Sequence, residues 1–277
     1  MSGAAEPRMS TLLQISDPHF GTVRPAVAEA LVWLAAQQRP DVLVLSGDIT
    51  QRAKVSQFSD ARGFCERLAI PRMLAIPGNH DISLFNPYQR LVTPYARFLK
   101  AFGPALEPTL STPALHIIGV RTTRRLRHTN GEVSGAQIAR VAAELERSTP
   151  EQLRIVVVHQ PVYVARASDE HDHLRGGLRA SRAWAEAGAD IVMGGHIHLP
   201  YAYDLSGRLA GLKRRLWCVQ AGTALSSRVR EGIPNSVNLL RYDNAGAAAS
   251  CLLERWDFQK YGGRFECVET TDLVLDR

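Results

Sequence analysis

Arg72-Met73-Leu74-Ala75-Ile76-Pro77-Gly78-Asn79-His80-Asp81 joins two kinds of chemistry within ten residues. The aliphatic run over residues 72–76 reads as a short strand covered on both faces. It stops at a turn that carries an amide, an imidazole and a carboxylate. The same grammar recurs along the chain. Residues 12–16 lead into Asp17-Pro18-His19, residues 41–46 into Gly47-Asp48, residues 154–158 into His159, and residues 190–193 into Gly195-His196-Ile197-His198. Helix patterns separate these strands. Pro25–Gln38 has Pro25 in its first turn and Val27, Ala30, Leu31 and Leu34 on one face. Residues 57–68 repeat the pattern, Ser134 caps a third helix carrying Ile138, Val141 and Leu145, and residues 179–187 form a fourth stopped by Gly188. Alternating strands and helices place the chain in the α/β class. Ligands in open α/β sheets gather at the carboxyl ends of strands, so these motifs are expected to meet in one cleft.

Taken singly, each motif has an ordinary reading. Asp17-Pro18-His19 and Gly78-Asn79-His80-Asp81 are plausible turns, and His159 is a plausible core imidazole. Five of them together supply enough carboxylate, imidazole and amide groups to hold two cations side by side. A mixed oxygen and nitrogen set without thiolate suits Mn, Fe or Zn better than Ca or a thiolate-bound cluster.

In order and residue type, the motifs resemble the calcineurin-like metallophosphoesterase superfamily, whose pattern reads D-x-H, GD, GNH[DE], H, GHxH. Every position is filled between Asp17 and His198. The resemblance implies a four-layer α/β-β/α sandwich of two mixed β-sheets flanked by helices, with the segment after Pro200 largely in the second sheet. Residue by residue, it implies that Asp17, His19 and His198 bind one metal ion, that Asn79, His159 and His196 bind a second, and that Asp48 bridges the two. His80 would face the substrate as an imidazolium general acid, and Asp81 would bond to it or steady the turn; both are expected as catalytic residues. Two divalent cations outweigh Asp17, Asp48 and a bridging hydroxide in charge. The site therefore stays positive, attracts a phosphate and favours in-line attack by that hydroxide.

Composition is consistent with an ordinary globular chain. It has 277 residues, 45% apolar and 22% charged, with a formal net charge of +6. No apolar run approaches the roughly 18 residues that span a bilayer, so no membrane span is expected. Residues 1–10 include Glu6 and Pro7 and lack the apolar core of a secretory signal. They are expected as a disordered lead before a single domain over residues 11–277. Cys65, Cys218, Cys251 and Cys267 show no C-x-x-C spacing, which favours reduced thiols and a cytoplasmic setting.

Within the superfamily, Asp17-Pro18-His19-Phe20 and the GNHD form are closest to the bacterial branch that includes class III cyclic nucleotide phosphodiesterases. That likeness implies a small phosphodiester substrate, with a 3',5'-cyclic nucleotide as one candidate. Asn79, His80, His173 and Arg175 are the candidate substrate contacts, the last two on the polar loop after His159. Arg228 and Arg230 either approach a substrate phosphate or stand as surface charge. The segment 87–102 is expected as a helical element packed on the core, with a lid or an added helix as the alternative.

Three rivals share some of these features. A nuclease would suit the basic run Arg121, Arg124, Arg125 and Arg127, yet the chain leaves little room for a DNA-holding domain, and no aromatic residues interleave for stacking. A nucleotide-sugar or lipid pyrophosphatase would use the same metals. A non-enzymatic scaffold would be expected to lack ligands or His80, and this chain keeps them. Nucleic acid is thus the less favoured partner, and the oligomeric state is left open.

Overall fold

Strand β1 (Ser10–Ile15) shows how the layers arise. Its side chains alternate, so Leu12 joins one apolar cluster while Leu13 and Ile15 join another on the opposite face. In the computed structural model, which describes residues 9–83, 87–125, 129–230, 232–244 and 249–276, this two-sided burial repeats through both sheets. Residues 1–8 of the expected lead and Arg127 lie outside the described residues. Ser10, placed in that lead by the sequence, instead begins β1.

The first sheet contains β1, β2 (Val42–Leu45) and β3 (Arg72–Ala75) in parallel, followed on the other side of β1 by antiparallel β10 (Ser236–Asp243), β11 (Ser250–Gln259) and β12 (Arg264–Asp272). The second sheet runs β4 (Thr109–Ser111), β5 (Leu115–Gly119), β6 (Leu153–Val157), β7 (Ile191–Gly194), β9 (Trp217–Gln220) and β8 (Tyr201–Asp204). Its four central strands are parallel and its two edges antiparallel. Leu12, Val42, Val44 and Leu74 of the first sheet pack against Ile117, Ile155, Ile191 and Val219 of the second, making the dry middle of the sandwich.

Helices α1 (Pro25–Gln38) and α2 (Val55–Leu68) cover the outer face of the first sheet, through Val27, Leu31 and Phe58 against Leu13, Leu43 and Leu45. Helices α5 (Gly135–Leu145) and α6 (Gly177–Glu186) cover the second through Ile138, Val141 and the fully buried Trp184. The Ser134 cap is present: its hydroxyl accepts from Gln137 N at 3.2 Å while Gln137 Oε1 accepts from Ser134 N at 3.0 Å. The segment 87–102 forms α3 (Pro87–Val92) and α4 (Ala96–Phe102), and α4 buries Phe98 beside Phe58 on the core.

One expectation about the sheets needs correction. The segment after Pro200 does not go largely into the second sheet; only β8 and β9 do. Strand β10 carries apolar residues for both faces and pairs with β1, Leu240 opposite Leu12, so β10 to β12 extend the first sheet. Strands β4, β8 and β12 were not read from the sequence, because each is short, polar or interrupted by a charged residue; β5 was not read either, although its five residues are all buried.

Candidate metal centre

All five motifs lie just beyond the carboxyl ends of parallel strands, three from β1 to β3 and two from β6 and β7. Backbone hydrogen bonds tie the loops together: Asp17 N donates to Gly47 O at 3.1 Å, His19 N to Asp48 O at 3.1 Å, and Gly195 N to His159 O at 2.9 Å. Among the described residues, eight other than glycine have positive φ, and five of them are candidate ligands: Asp17, His19, Asp48, His196 and His198, at 43° to 74°. That conformation costs an L-residue about 1–2 kcal/mol, and its concentration here marks a site whose geometry the fold overrides local preference to hold. Gly78 and Gly195 permit close approach. A Cβ on the first would collide with Asp48 and on the second with Ser16 and Asp17.

The seven expected ligands come together in two adjoining groups. Asp17, His19 and His198 offer ligand atoms within 4.8 Å of one another, and so do Asp48, His159 and His196. Asn79 Oδ1 joins the second group, 3.1 Å from His159 Nε2. Asp48 lies between them, with Oδ1 3.3 Å from His159 Nε2 and Oδ2 3.9 Å from His19 Nε2.

The donor arrangement fits cations. His159 Nδ1 lies 2.9 Å from Ser46 O, and His198 Nδ1 lies 2.6 Å from Arg228 O. Carbonyls only accept, so both rings donate at Nδ1 and turn Nε2 towards the cleft. His19 Nε2 and His198 Nε2 face each other at 3.2 Å. Asp17 Oδ2 accepts from Ser16 Oγ at 2.7 Å and His196 N at 2.9 Å, whereas its buried Oδ1 has no hydrogen-bond donor. An electron-rich cluster with an orphaned buried carboxylate oxygen is costly by itself and is satisfied by bound cations.

Electrostatics are correspondingly strong. Burial raises both Asp17 and Asp48, but the facing imidazoles, His198 for the first and His159 for the second, hold them well below the ordinary carboxylate range. Burial pushes His19 down to about 3. Burial also opposes charge on His159, yet Asp48 lifts it to about 9.

His80 stands at the edge of this cluster. Its backbone N donates to Asp48 Oδ1 at 2.7 Å, and its ring meets that of His19 edge-on with centroids 5.0 Å apart. Ring Nδ1 is 3.0 Å from Gln51 O, and Nε2 is 3.1 Å from Arg228 Nη1. A guanidinium only donates and a carbonyl only accepts, so in this arrangement Nε2 accepts from Arg228 and Nδ1 donates to Gln51 O. Asp81 steadies the turn. Its buried carboxylate is filled by Ile49 N, Thr50 N, Thr50 Oγ1 and Gly78 N at 2.8–3.0 Å, which locks the β2 and β3 loops together. Burial and the charge of Asp48 push that carboxyl up to about 7.

Beside the metal groups lies a cleft of about 420 Å³ bounded by Asn79, His80, Asp172, Arg228 and Arg230. His173 and Arg175 are not on it. His173 Nε2 lies 2.7 Å from Val162 O, and both residues line a different, open cavity of about 880 Å³ beside α6. The loop reaches the site one residue earlier, where Asp172 Oδ1 lies 3.3 Å from His196 Nε2. That contact directs His196 Nδ1 inward and assigns Asp172 a positioning part. Asp172→Ala is therefore expected to weaken one of the two cation sites by ~10–100-fold, with Asp172→Asn losing less. Equilibrium dialysis against Mn²⁺ resolves this, and two sites of unchanged affinity would refute it.

Comparisons with known proteins agree with this architecture. A family model described as calcineurin-like phosphoesterase matches residues 10–200. A Mycobacterium tuberculosis protein named cAMP/cGMP dual specificity phosphodiesterase is 24% identical over 216 residues, which is 72% of this chain and 65% of that protein's length. Among solved structures, a purple acid phosphatase from yellow lupin superposes with a TM-score of 0.72 at 14% identity, covering 96% of this chain and 54% of the other. A dimetal phosphatase from Danio rerio gives 0.65 at 12% identity, covering 98% and 100%. No helix among the described residues is long and apolar enough to cross a membrane.

Proposed function

The chain belongs to the calcineurin-like phosphoesterase family, and from that premise we propose that it is a dinuclear metal-dependent hydrolase of a small phosphodiester. The observation that carries this reading is the complete set of seven oxygen and nitrogen ligands at one cleft, with His80 beside them. Asp17, His19 and His198 would hold one cation and Asn79, His159 and His196 the other, with Asp48 shared. Mn, Fe or Zn suits such donors. When bound, the cations supply Lewis-acid polarisation of phosphoryl oxygens and make water acidic enough to be deprotonated near neutral pH.

The protein's own groups then orient the reaction. Asp81 fixes the turn that presents Asn79 and His80. His80 is placed to meet the leaving oxygen once Arg228 releases its Nε2; that nitrogen then takes a proton from solvent and passes it to the leaving oxygen, while Nδ1–H stays bonded to Gln51 O. The Mycobacterium relative supports a 3',5'-cyclic nucleotide as the first substrate to try.

A small substrate is favoured over DNA because none of Arg121, Arg124 and Arg125 lines the cleft beside the metal groups. Arg124 donates to Arg121 O, Thr123 O and Gln137 Oε1, Arg125 donates to Leu91 O, and the Arg121 guanidinium sits 5.3 Å from the Tyr95 ring centroid. A DNA substrate held by six to ten phosphate contacts would lose ~10³–10⁵ in affinity between 50 and 200 mM salt. For the Mn²⁺-loaded protein, KM for a small diester is expected to change only modestly over that range, with no competition from duplex DNA. Salt-relieved inhibition by DNA, with nicked strands accumulating, would overturn the small-diester reading in favour of a nuclease.

A further inference from the structure

Two arginines face the cleft, and their surroundings differ. Arg230 is committed: Nη2 and Nη1 grip the buried Asp169 carboxylate at 2.8 and 3.1 Å, and Nη1 also donates to Ile197 O at 3.2 Å. Such a bidentate pair is already neutralised and geometrically filled. Arg228 is not. Nη1 reaches two neutral acceptors, Gln51 Oε1 and His80 Nε2, both at 3.1 Å, and among the described residues its guanidinium meets no carboxylate. The residue is nonetheless firmly seated. Its carbonyl accepts from His198 Nδ1 and from Thr223 Oγ1, and its N–H donates to Ser226 Oγ.

We propose that Arg228 is the substrate-binding arginine of this site: its guanidinium grips a non-bridging oxygen of the substrate's phosphoryl group and, in turning to it, releases His80 Nε2 towards the leaving oxygen. This rests on the phosphoesterase reading given above. An arginine with uncharged partners loses little by exchanging them for an anion, and charge-assisted bonds to phosphate are the stronger ones. Its planar fork suits two phosphoryl oxygens, which a lysine cannot match. The same residue supports a metal ligand through its backbone, so substrate grip and ligand orientation are coupled at one position, while substitution of the side chain leaves the supporting carbonyl in place.

The test uses inorganic phosphate as probe, measured calorimetrically on Mn²⁺-loaded wild type, Arg228→Gln and Arg228→Lys, with metal content determined alongside. Arg228→Gln is expected to weaken phosphate binding by ~10–100-fold while two cations per chain are retained, and Arg228→Lys to recover part of the loss. KM for bis-p-nitrophenyl phosphate should rise by a similar factor in the Gln variant. Phosphate affinity unchanged in Arg228→Gln, or a wild type that binds no phosphate, overturns the assignment. A wild type that binds phosphate but turns over no phosphoester instead sinks the functional reading, and the binding series still judges Arg228.

Discussion

Asp48→Ala is expected to lose at least one bound cation per chain and nearly all turnover. Among the described residues, the carboxylate is the one anionic group within 4 Å of ring nitrogens from both ligand groups, His159 on one side and His19 on the other. It also accepts from the backbone N–H of His80, so its removal loosens the turn that carries Asn79. The loss is electrostatic as well as geometric, since Asp48 is the main group holding His159's charge state in place. Metal analysis after dialysis, together with the rate on bis-p-nitrophenyl phosphate, measures both effects. Asp48→Asn preserves side-chain shape and separates charge from packing. Two cations per chain and a normal rate in Asp48→Ala would contradict the shared-ligand assignment.

His80→Ala should behave in the opposite way, keeping both cations while kcat falls by about 10²–10⁴, the range usual for a proton-transferring side chain. Its ring contributes no atom to either ligand group, and its backbone bond to Asp48 survives the substitution. If the ring delivers a proton to the leaving oxygen, the loss should shrink for p-nitrophenolate, which needs little protonation, and grow for alkoxides. An equal loss on both would show that His80 positions the substrate instead.

The candidate ligands were legible in the sequence because their chemistry is local: each lies just after an aliphatic run, and the runs are strands. What escaped depends on three-dimensional phase. Asp172 and His173 are adjacent in a polar loop, yet the 3-10 turn over Ala167–Asp172 aims only the first at His196. Arg228 and Arg230 are indistinguishable as letters, and Asp169, some 60 positions away, decides which is free for a substrate. The left-handed backbone at Asp17, His19, Asp48, His196 and His198 leaves no trace in residue type, since glycine would be the ordinary choice there. The sheet of β10 to β12 was misplaced for a similar reason, because alternation marks a strand but not its neighbour.

The central claim is that two cations held by these seven residues make the site a phosphodiesterase. Titrating metal-free protein with Mn²⁺ while following hydrolysis of bis-p-nitrophenyl phosphate tests it directly. Activity is expected to appear with cation binding and to saturate near two equivalents per chain. Two bound cations without turnover, or turnover independent of added and bound metal, would contradict it.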